Sequence, residues 1–376
     1  MRKFIAILIF FWLPFLAGSQ QTNSLDSLLK LLAYTKEDTN KVSLLLNIGK
    51  EYFSANNFDS ALYYNNECER LISKVDARQY EHRCLHEFVK IYHAQAAYRP
   101  ALNYCLRSIA IAKQHKNRLQ EALSYRALFN IYHNLRMNDS AVKYGVYSLN
   151  LTEEIKDTVN IATNYGNMSW LYMDLNQYDK AIEYGKQGIA AGEKYKDTSG
   201  LLVAINNTAL CYHRNGNDEK AIELFSKQIE IAKKVNRKRS IVRGLINLAT
   251  SYYALGDKAE LGKATMELND YFENNPKTDI KLKCFQYIIN GYNNILNNNF
   301  QQAENYLLEG VGIAEKDSIV DPLLIMYSTL STIKSAQHEF RTAGFYDQKW
   351  DALSQSLQEE ELSEYAIELE TKYETE

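Results

Sequence analysis

Proline is almost missing from this chain, with four residues in 376 (Pro14, Pro100, Pro276 and Pro322). So few breakers over such a length leave room for long, uninterrupted helices. Cysteine is sparse too. Cys68, Cys84, Cys105, Cys211 and Cys284 are widely spread, and an odd number cannot all pair within one chain. No C-x-x-C spacing occurs, so the simplest reading is of small buried helix residues. A dominant charge sign is lacking: 43 Lys and Arg stand against 46 Asp and Glu, a formal net charge of −3. That balance gives no electrostatic footprint for nucleic acid. Glycine-rich phosphate loops, nucleophile elbows and paired catalytic carboxylates are also missing, so neither an enzyme nor a cofactor is expected.

What is present begins with the N-terminus. Arg2 and Lys3 precede an apolar run from Phe4 to Leu16 that only Pro14 interrupts. Ala17, Gly18 and Ser19 then supply small residues at −3 and −1 of a cleavage site, so residues 1–19 read as a signal peptide with Gln20 beginning the mature chain. The run is short for a spanning helix, which needs about 20 apolar residues. An uncleaved anchor is the alternative, and it would link the protein to the membrane. The expected location is periplasmic, or the extracytoplasmic face of the membrane.

Internal periodicity decides the fold class. Tyrosine recurs 40 residues apart at Tyr52, Tyr92, Tyr132, Tyr172, Tyr212 and Tyr252. Alanine recurs at the same interval at Ala61, Ala101, Ala141, Ala181 and Ala221, nine places after each tyrosine. Leu261 takes the sixth place, and Ala303 and Ala343 resume the series after a two-residue slip. Leu45, Ile48, Gly49 and Tyr52 form one face of a helix by their spacing of three and four. Asn56-Asn57 then gives a turn, and a second helix starts near Phe58. A small Ala61 lets the two helices approach closely while Tyr52 fills the wedge between them. Tyr165, Met168, Tyr172, Tyr178, Ala181 and Ile189 repeat the pattern, as do Ala209, Tyr212, Ala221 and Phe225.

This pattern resembles the tetratricopeptide repeat, a two-helix unit with these residue types at these offsets. The resemblance implies an all-α fold of helix-turn-helix repeats stacked in a right-handed superhelical solenoid. It covers about eight repeats over residues 40–351, after an N-terminal capping helix at 20–39 in which Ser24, Leu25, Asp26 and Ser27 start the helix. The unit departs from the usual length of about 34 residues, which lengthens both helices by under a turn each. Gly145 and Gly185 stand where a bulky residue is expected, implying unusually close helix contact there. Asn274, Asn275 and Pro276 place the slip in a loop before the seventh unit. Asp38, Asp157, Asp197 and Asp317 read as N-caps of first helices. Cys68 and Cys84 fall where consecutive repeats face each other, and a disulfide between them stays open.

Residues 352–376 differ. Leu362, Ala366, Leu369 and Tyr373 follow a 4-3-4 spacing among glutamates, giving an amphipathic helix with coiled-coil character through which the chain would self-associate. The layout resembles the extracytoplasmic sensor region of bacterial repeat-containing histidine kinases and LuxR-type regulators, in which such a helix continues into a membrane span. A link to the membrane through a longer C-terminus therefore stays open.

The repeat register also locates a candidate surface. In the family it resembles, first helices line a concave groove with residues beside the tyrosine and one turn before it. Here those residues are Lys90, His93, Asn130, His133, Asn134, Trp170, Met173, Asp174, His213 and Arg214, a mixed polar and aromatic set suited to an extended peptide or protein segment. Three of them are histidines, which would make binding sensitive to pH between about 5.5 and 7.5. Two other features are weaker. His82 and His86 share a helix face at i, i+4, but no third metal ligand is identifiable. The run Lys233-Lys234-Val235-Asn236-Arg237-Lys238-Arg239 reads first as a solvated turn, with docking of an acidic partner as the second reading. The expected function is an exported interaction module, the ligand- or protein-binding sensor region of a bacterial signalling protein. A free-standing periplasmic scaffold with no signalling role is the rival.

Overall fold

The computed structural model of the chain describes residues 20–275 and 279–375. The signal peptide assigned to residues 1–19 lies outside them. Among the described residues there are seventeen α-helices, one 3-10 turn and no strand. A leading helix α1 (Gln20–Tyr34) is followed by eight helix pairs. These are α2 (Thr39–Ser54) with α3 (Phe58–Val75), α4 (Glu81–Ala94) with α5 (Tyr98–Gln114), α6 (Arg118–Asn134) with α7 (Asn138–Glu154), and α8 (Ile161–Asp174) with α9 (Tyr178–Tyr195). There follow α10 (Thr198–Arg214) with α11 (Asp218–Lys234), α12 (Lys238–Leu255) with α13 (Lys258–Asn274), α14 (Ile280–Leu296) with α15 (Phe300–Lys316), and α16 (Val320–Ala336) with α17 (Phe340–Thr375). The chain forms two compact units, divided within α5 between Ile111 and Ala112.

In the first unit Val42, Leu45, Leu46, Cys68, Leu71, Ile72 and Phe88 form the core, and Leu32 of α1 packs against it. The leading helix thus covers the apolar face of the first pair, as a solenoid end requires. Cys68 and Cys84 are both buried free thiols. The neighbouring Cys68 thiol, together with burial, raises the pKa of Cys84, whose own thiol donates to the Asn65 carbonyl at 3.6 Å, and leaves it protonated and unreactive.

In the second unit the alanine ladder does what its size allows. Ala141, Ala181 and Ala221 are wholly inaccessible. In the first four helix pairs the tyrosines fill the wedge by lying flat on a second tyrosine twelve positions later. Tyr132 stacks on Tyr144 with centroids 5.2 Å apart, and Tyr172 on Tyr184 at 5.4 Å. The same stack forms in the first unit between Tyr52 and Tyr64 at 5.3 Å. Gly185 has no room for a side chain: a Cβ there would stand 2.1 Å from the Thr208 hydroxyl oxygen and 3.1 Å from that of Ser169. At Gly145 it would stand 2.7 Å from the Met168 sulfur and 2.9 Å from the Phe129 ring. The close helix contact expected at both glycines is present.

Turns repeat more regularly than the residues that make them. A left-handed residue closes nearly every helix of the array, from Asn56 (φ 57°) through Asp76, Ala96, Lys116, Arg136, Lys156, Asn176 and Lys196 to Gly216 and Gly256. Of the expected N-caps, Asp38 accepts from the Asn40 and Lys41 amides and Asp197 from the Gly200 amide. Two others differ. Asp157 accepts from Val159 and Asn160, capping a turn that precedes α8, whose own N-cap is Asn160. Asp317 is the C-cap of α15, because Ser318 takes the left-handed conformation (φ 53°) and α16 starts only after Ile319. The two-residue slip lies where it was expected. Residues 275–279 separate α13 from α14, whereas 235–237 separate α11 from α12, although 276–278 are outside the described residues.

The C-terminal helix is not a separate element beginning at 352. Between Phe340 and Thr375 no proline occurs and no residue turns left-handed, so the second helix of the eighth pair runs on as a single helix of 36 residues. The side chains of Leu362, Ala366, Leu369 and Tyr373 lie outside the described residues. No described helix is long and apolar enough to cross a membrane.

Candidate interaction surface

The ten residues singled out by the register divide between the two units. Lys90 and His93 belong to α4 in the first unit, and the other eight to α6, α8 and α10 in the second. Lys90 is held by Glu87 at 2.6 Å and sits over the Phe53 ring at 5.0 Å. His93 stands edge-on to Tyr98, with centroids 5.9 Å apart.

In the second unit two of the eight residues are buried side chains. His133 is 3% exposed and Met173 1% exposed, so neither can meet a partner from solution. The reason is packing between neighbouring first helices. Trp170 on α8 lays its ring edge-to-face on the His133 imidazole, with centroids 4.1 Å apart, and Phe129 stacks on the other side at 5.6 Å. His133 Nε2 lies 3.0 Å from Asp174 Oδ2, so this nitrogen carries the proton and donates. Arg214 Nη1 donates to Asp174 Oδ1 at 2.7 Å, and Arg136 approaches Oδ2 at 3.8 Å. Burial alone would raise the Asp174 pKa. The His133 hydrogen bond and charge, followed by Arg214, outweigh burial and hold the carboxyl below its ordinary value of 3.8. These residues therefore form a brace between α6, α8 and α10 that leaves Trp170 half-buried and Arg214 and Asn134 at the surface.

His213 is likewise engaged, its Nδ1 lying 2.5 Å from Asp218 Oδ1 and 3.3 Å from the Ser251 hydroxyl. Asn130 is half-buried. The histidine ladder is thus not a row of free imidazoles. The rings of His82 and His86 lie parallel at 6.3 Å. Among the described residues, no three His, Cys, Asp or Glu side chains gather as metal ligands.

The open space lies further along the same face, toward the N-terminal halves of the first helices. A cleft of about 390 Å³ opens over α10, α12 and α14, with Leu210, Ile246, Leu282 and Phe285 as apolar lining and Arg243 and Asn247 among its polar groups. A second cleft, of about 210 Å³, lies between α10 and α12 and includes Asn206, Arg237 and, again, Arg243. Asparagines link these helices: Asn247 Nδ2 donates to Asn206 Oδ1 at 3.1 Å, and Asn207 Nδ2 to the Gly166 carbonyl at 2.9 Å. The candidate residues taken from sequence missed this region. The usable signal was the same register read one and two turns earlier: Arg243, Ile246, Asn247 and Thr250 share one helix face by their spacing of three and four. The basic run before α12 divides. Lys233 and Lys234 pair with Glu267 and Glu230 on exposed helix surface, while Arg237 and Arg239 reach the clefts.

Tetratricopeptide repeat family models match residues 162–191 and 204–239, the regions of α8–α9 and α10–α11. None of the curated proteins matches the chain in sequence. Several solved structures share its fold. Aspartyl phosphate phosphatase F from Bacillus subtilis is 14% identical, with a TM-score of 0.64 over 92% of this chain and 96% of that one. The quorum sensor NprR from B. thuringiensis, in its apo form, is 13% identical, with a TM-score of 0.65 over 89% and 97%. A Rap protein complexed with Competence and Sporulation Factor is 12% identical, with a TM-score of 0.61 over 91% and 99%. At these identities the likeness is one of fold.

Proposed function

Because the chain is a tetratricopeptide-repeat protein, we propose that it works by binding an extended peptide or protein segment across the first-helix face of its second unit. The observation that carries this reading is the 390 Å³ cleft on that face, lined by both apolar and polar side chains. Such a lining suits alternating side chains of an extended segment. Proteins of similar fold include a quorum sensor and a Rap protein complexed with Competence and Sporulation Factor, which favours a regulatory role over a purely structural one. We further propose that the chain is exported and serves as the input region of a signalling protein without catalysing a reaction. The charged, then apolar, then small-residue pattern of residues 2–19 supports export.

The test uses the chain recovered from the envelope of its own cells, with Gln20 expected at the mature N-terminus. Trp170→Ala combined with Leu210→Ala should weaken partner capture roughly thirtyfold, since aromatic and apolar anchors commonly carry 2 kcal/mol or more. Far-UV circular dichroism should stay close to the parent, with melting lowered because Trp170 also packs on His133 and Leu210 on the core of the unit. Lys227→Ala, on second helix α11, should change nothing. Undiminished capture by the double variant would place the binding site elsewhere.

A further inference from the structure

Arg243 is the residue at which the two clefts of the second unit meet, since it lines both. The other charges around it are occupied. Arg239 is paired with Asp279 at 3.0 Å, Lys281 with Asp321, and Arg237 donates to the Ser199 hydroxyl at 3.3 Å. No described carboxylate or other acceptor partners Arg243. Four cations (Arg237, Arg239, Arg243 and Lys281) thus face two anions (Asp279 and Asp321), leaving an excess of two positive charges around the clefts.

Although Arg243 is exposed as a residue, the protein around its guanidinium desolvates the charge, and Arg239 adds like-charge repulsion; both lower its pKa. A guanidinium stays charged in any protein environment. It therefore stands here with its hydration reduced and no counter-charge, the condition in which a carboxylate accepting two parallel N–H bonds gains most. Leu210, Ile246, Leu282 and Phe285 lie beside it as an apolar lining. The first-helix face runs on past the clefts in one direction to Trp170 on α8, and in the other the larger cleft itself reaches Asp321 on α16. A bound chain would thus pass across Arg243 rather than end there.

We propose that Arg243 is a specificity residue that holds an acidic side chain, Asp or Glu, of an extended peptide, with a neighbouring apolar side chain of that peptide seated on Leu210, Ile246, Leu282 and Phe285. The proposal rests on the binding reading above and deepens it, because it names the chemistry the face selects. A shape-only groove would accept glutamine as readily as glutamate. A groove centred on an unpaired guanidinium rejects the amide, which brings no charge and turns one N–H donor toward another.

The test measures the full chain by fluorescence anisotropy against two labelled nonapeptide pools. Both are randomised except for a central Glu-Leu in one and Gln-Leu in the other, and both are amidated at the C-terminus. The wild type should bind the glutamate pool at least tenfold more tightly than the glutamine pool. Arg243→Gln should bring the two within twofold by losing the glutamate pool alone, with its melting unchanged. Arg243→Lys, which keeps the charge but not the fork, should fall between them. Equal affinity of both pools for the wild type would overturn the proposal, as would a preference that survives Arg243→Gln. A third pool with the central glutamine and a free C-terminus should bind like the amidated glutamine pool; if it instead matches the glutamate pool, the carboxylate recognised is terminal and the proposal fails. If no pool binds at all, the peptide-binding reading fails and this inference with it, whereas binding without acidic preference removes this inference alone.

Discussion

Ala181→Trp, and separately Ala141→Trp, should each destabilise the second unit by more than about 2 kcal/mol. Both alanines are wholly inaccessible, each on the second helix of a pair where the first helix lies closest. An indole there must push the helices apart or displace the Tyr172–Tyr184 or Tyr132–Tyr144 stack, and overpacking of a dense core typically costs about 1–3 kcal/mol. Urea melts monitored at 222 nm measure the loss, provided each variant melts in one transition, since repeat arrays also unfold in parts. A loss below about 0.5 kcal/mol in both variants would mean that these alanines do not mark the helix contact.

The second large effect is expected at Asp174. This carboxylate receives His133 from α6, Arg214 from α10 and Arg136 from the turn after α6. Asp174→Ala removes their common anion and leaves the Nε2–H of a nearly inaccessible imidazole unpartnered. A cost of about 2–3 kcal/mol follows, below the 3–5 kcal/mol typical of a fully buried pair because both arginines reach solvent. The pH dependence has a definite sign. The folded-state pKa of Asp174 is depressed below 3.8, so its contribution is fully present above that value and is lost as pH falls through the lower folded value. The gap in stability between wild type and Asp174→Ala should therefore narrow as pH falls below 3.8. A gap that does not narrow below pH 3.8 would show that Asp174 is not held as an anion by these partners.

These two sites differ in how far the sequence revealed them. The alanine and tyrosine ladders were legible because each repeat needs a small residue and a flat aromatic at fixed places in the helix pair. A companion ladder at Tyr64, Tyr104, Tyr144 and Tyr184 was equally regular, and the stacked rings show its purpose. The turn ladder could not be read in this way. The left-handed position is filled by Asn56, Asp76, Ala96, Lys116 and Gly216, so the backbone repeats where the side chains do not. Nothing in the repeat register marked the division of the chain within α5.

The candidate surface was half legible. Register identifies which helix faces which, but burial depends on how closely the next first helix approaches. His133 and His213 share one register position, yet Trp170 covers the first while the second stays partly accessible beside Asp218 and Ser251. Arg243 was harder to single out. An arginine on a helix usually reads as solvated surface, and only the pairing of its neighbours with Asp279, Asp321 and Ser199 shows that, among the described cations of the clefts, it alone has no partner.

The central claim is that partners meet the first-helix face of the second unit. Site-specific photocrosslinking in living cells tests it most directly, with p-benzoylphenylalanine placed either at Leu210, in the cleft, or at Lys227 on second helix α11. Peptide-level mass spectrometry of the adducts then identifies what each position touches. The account predicts a discrete adduct from Leu210, carried by an extended segment with an acidic residue, and none from Lys227. Adducts from Lys227 with none from Leu210 would contradict it.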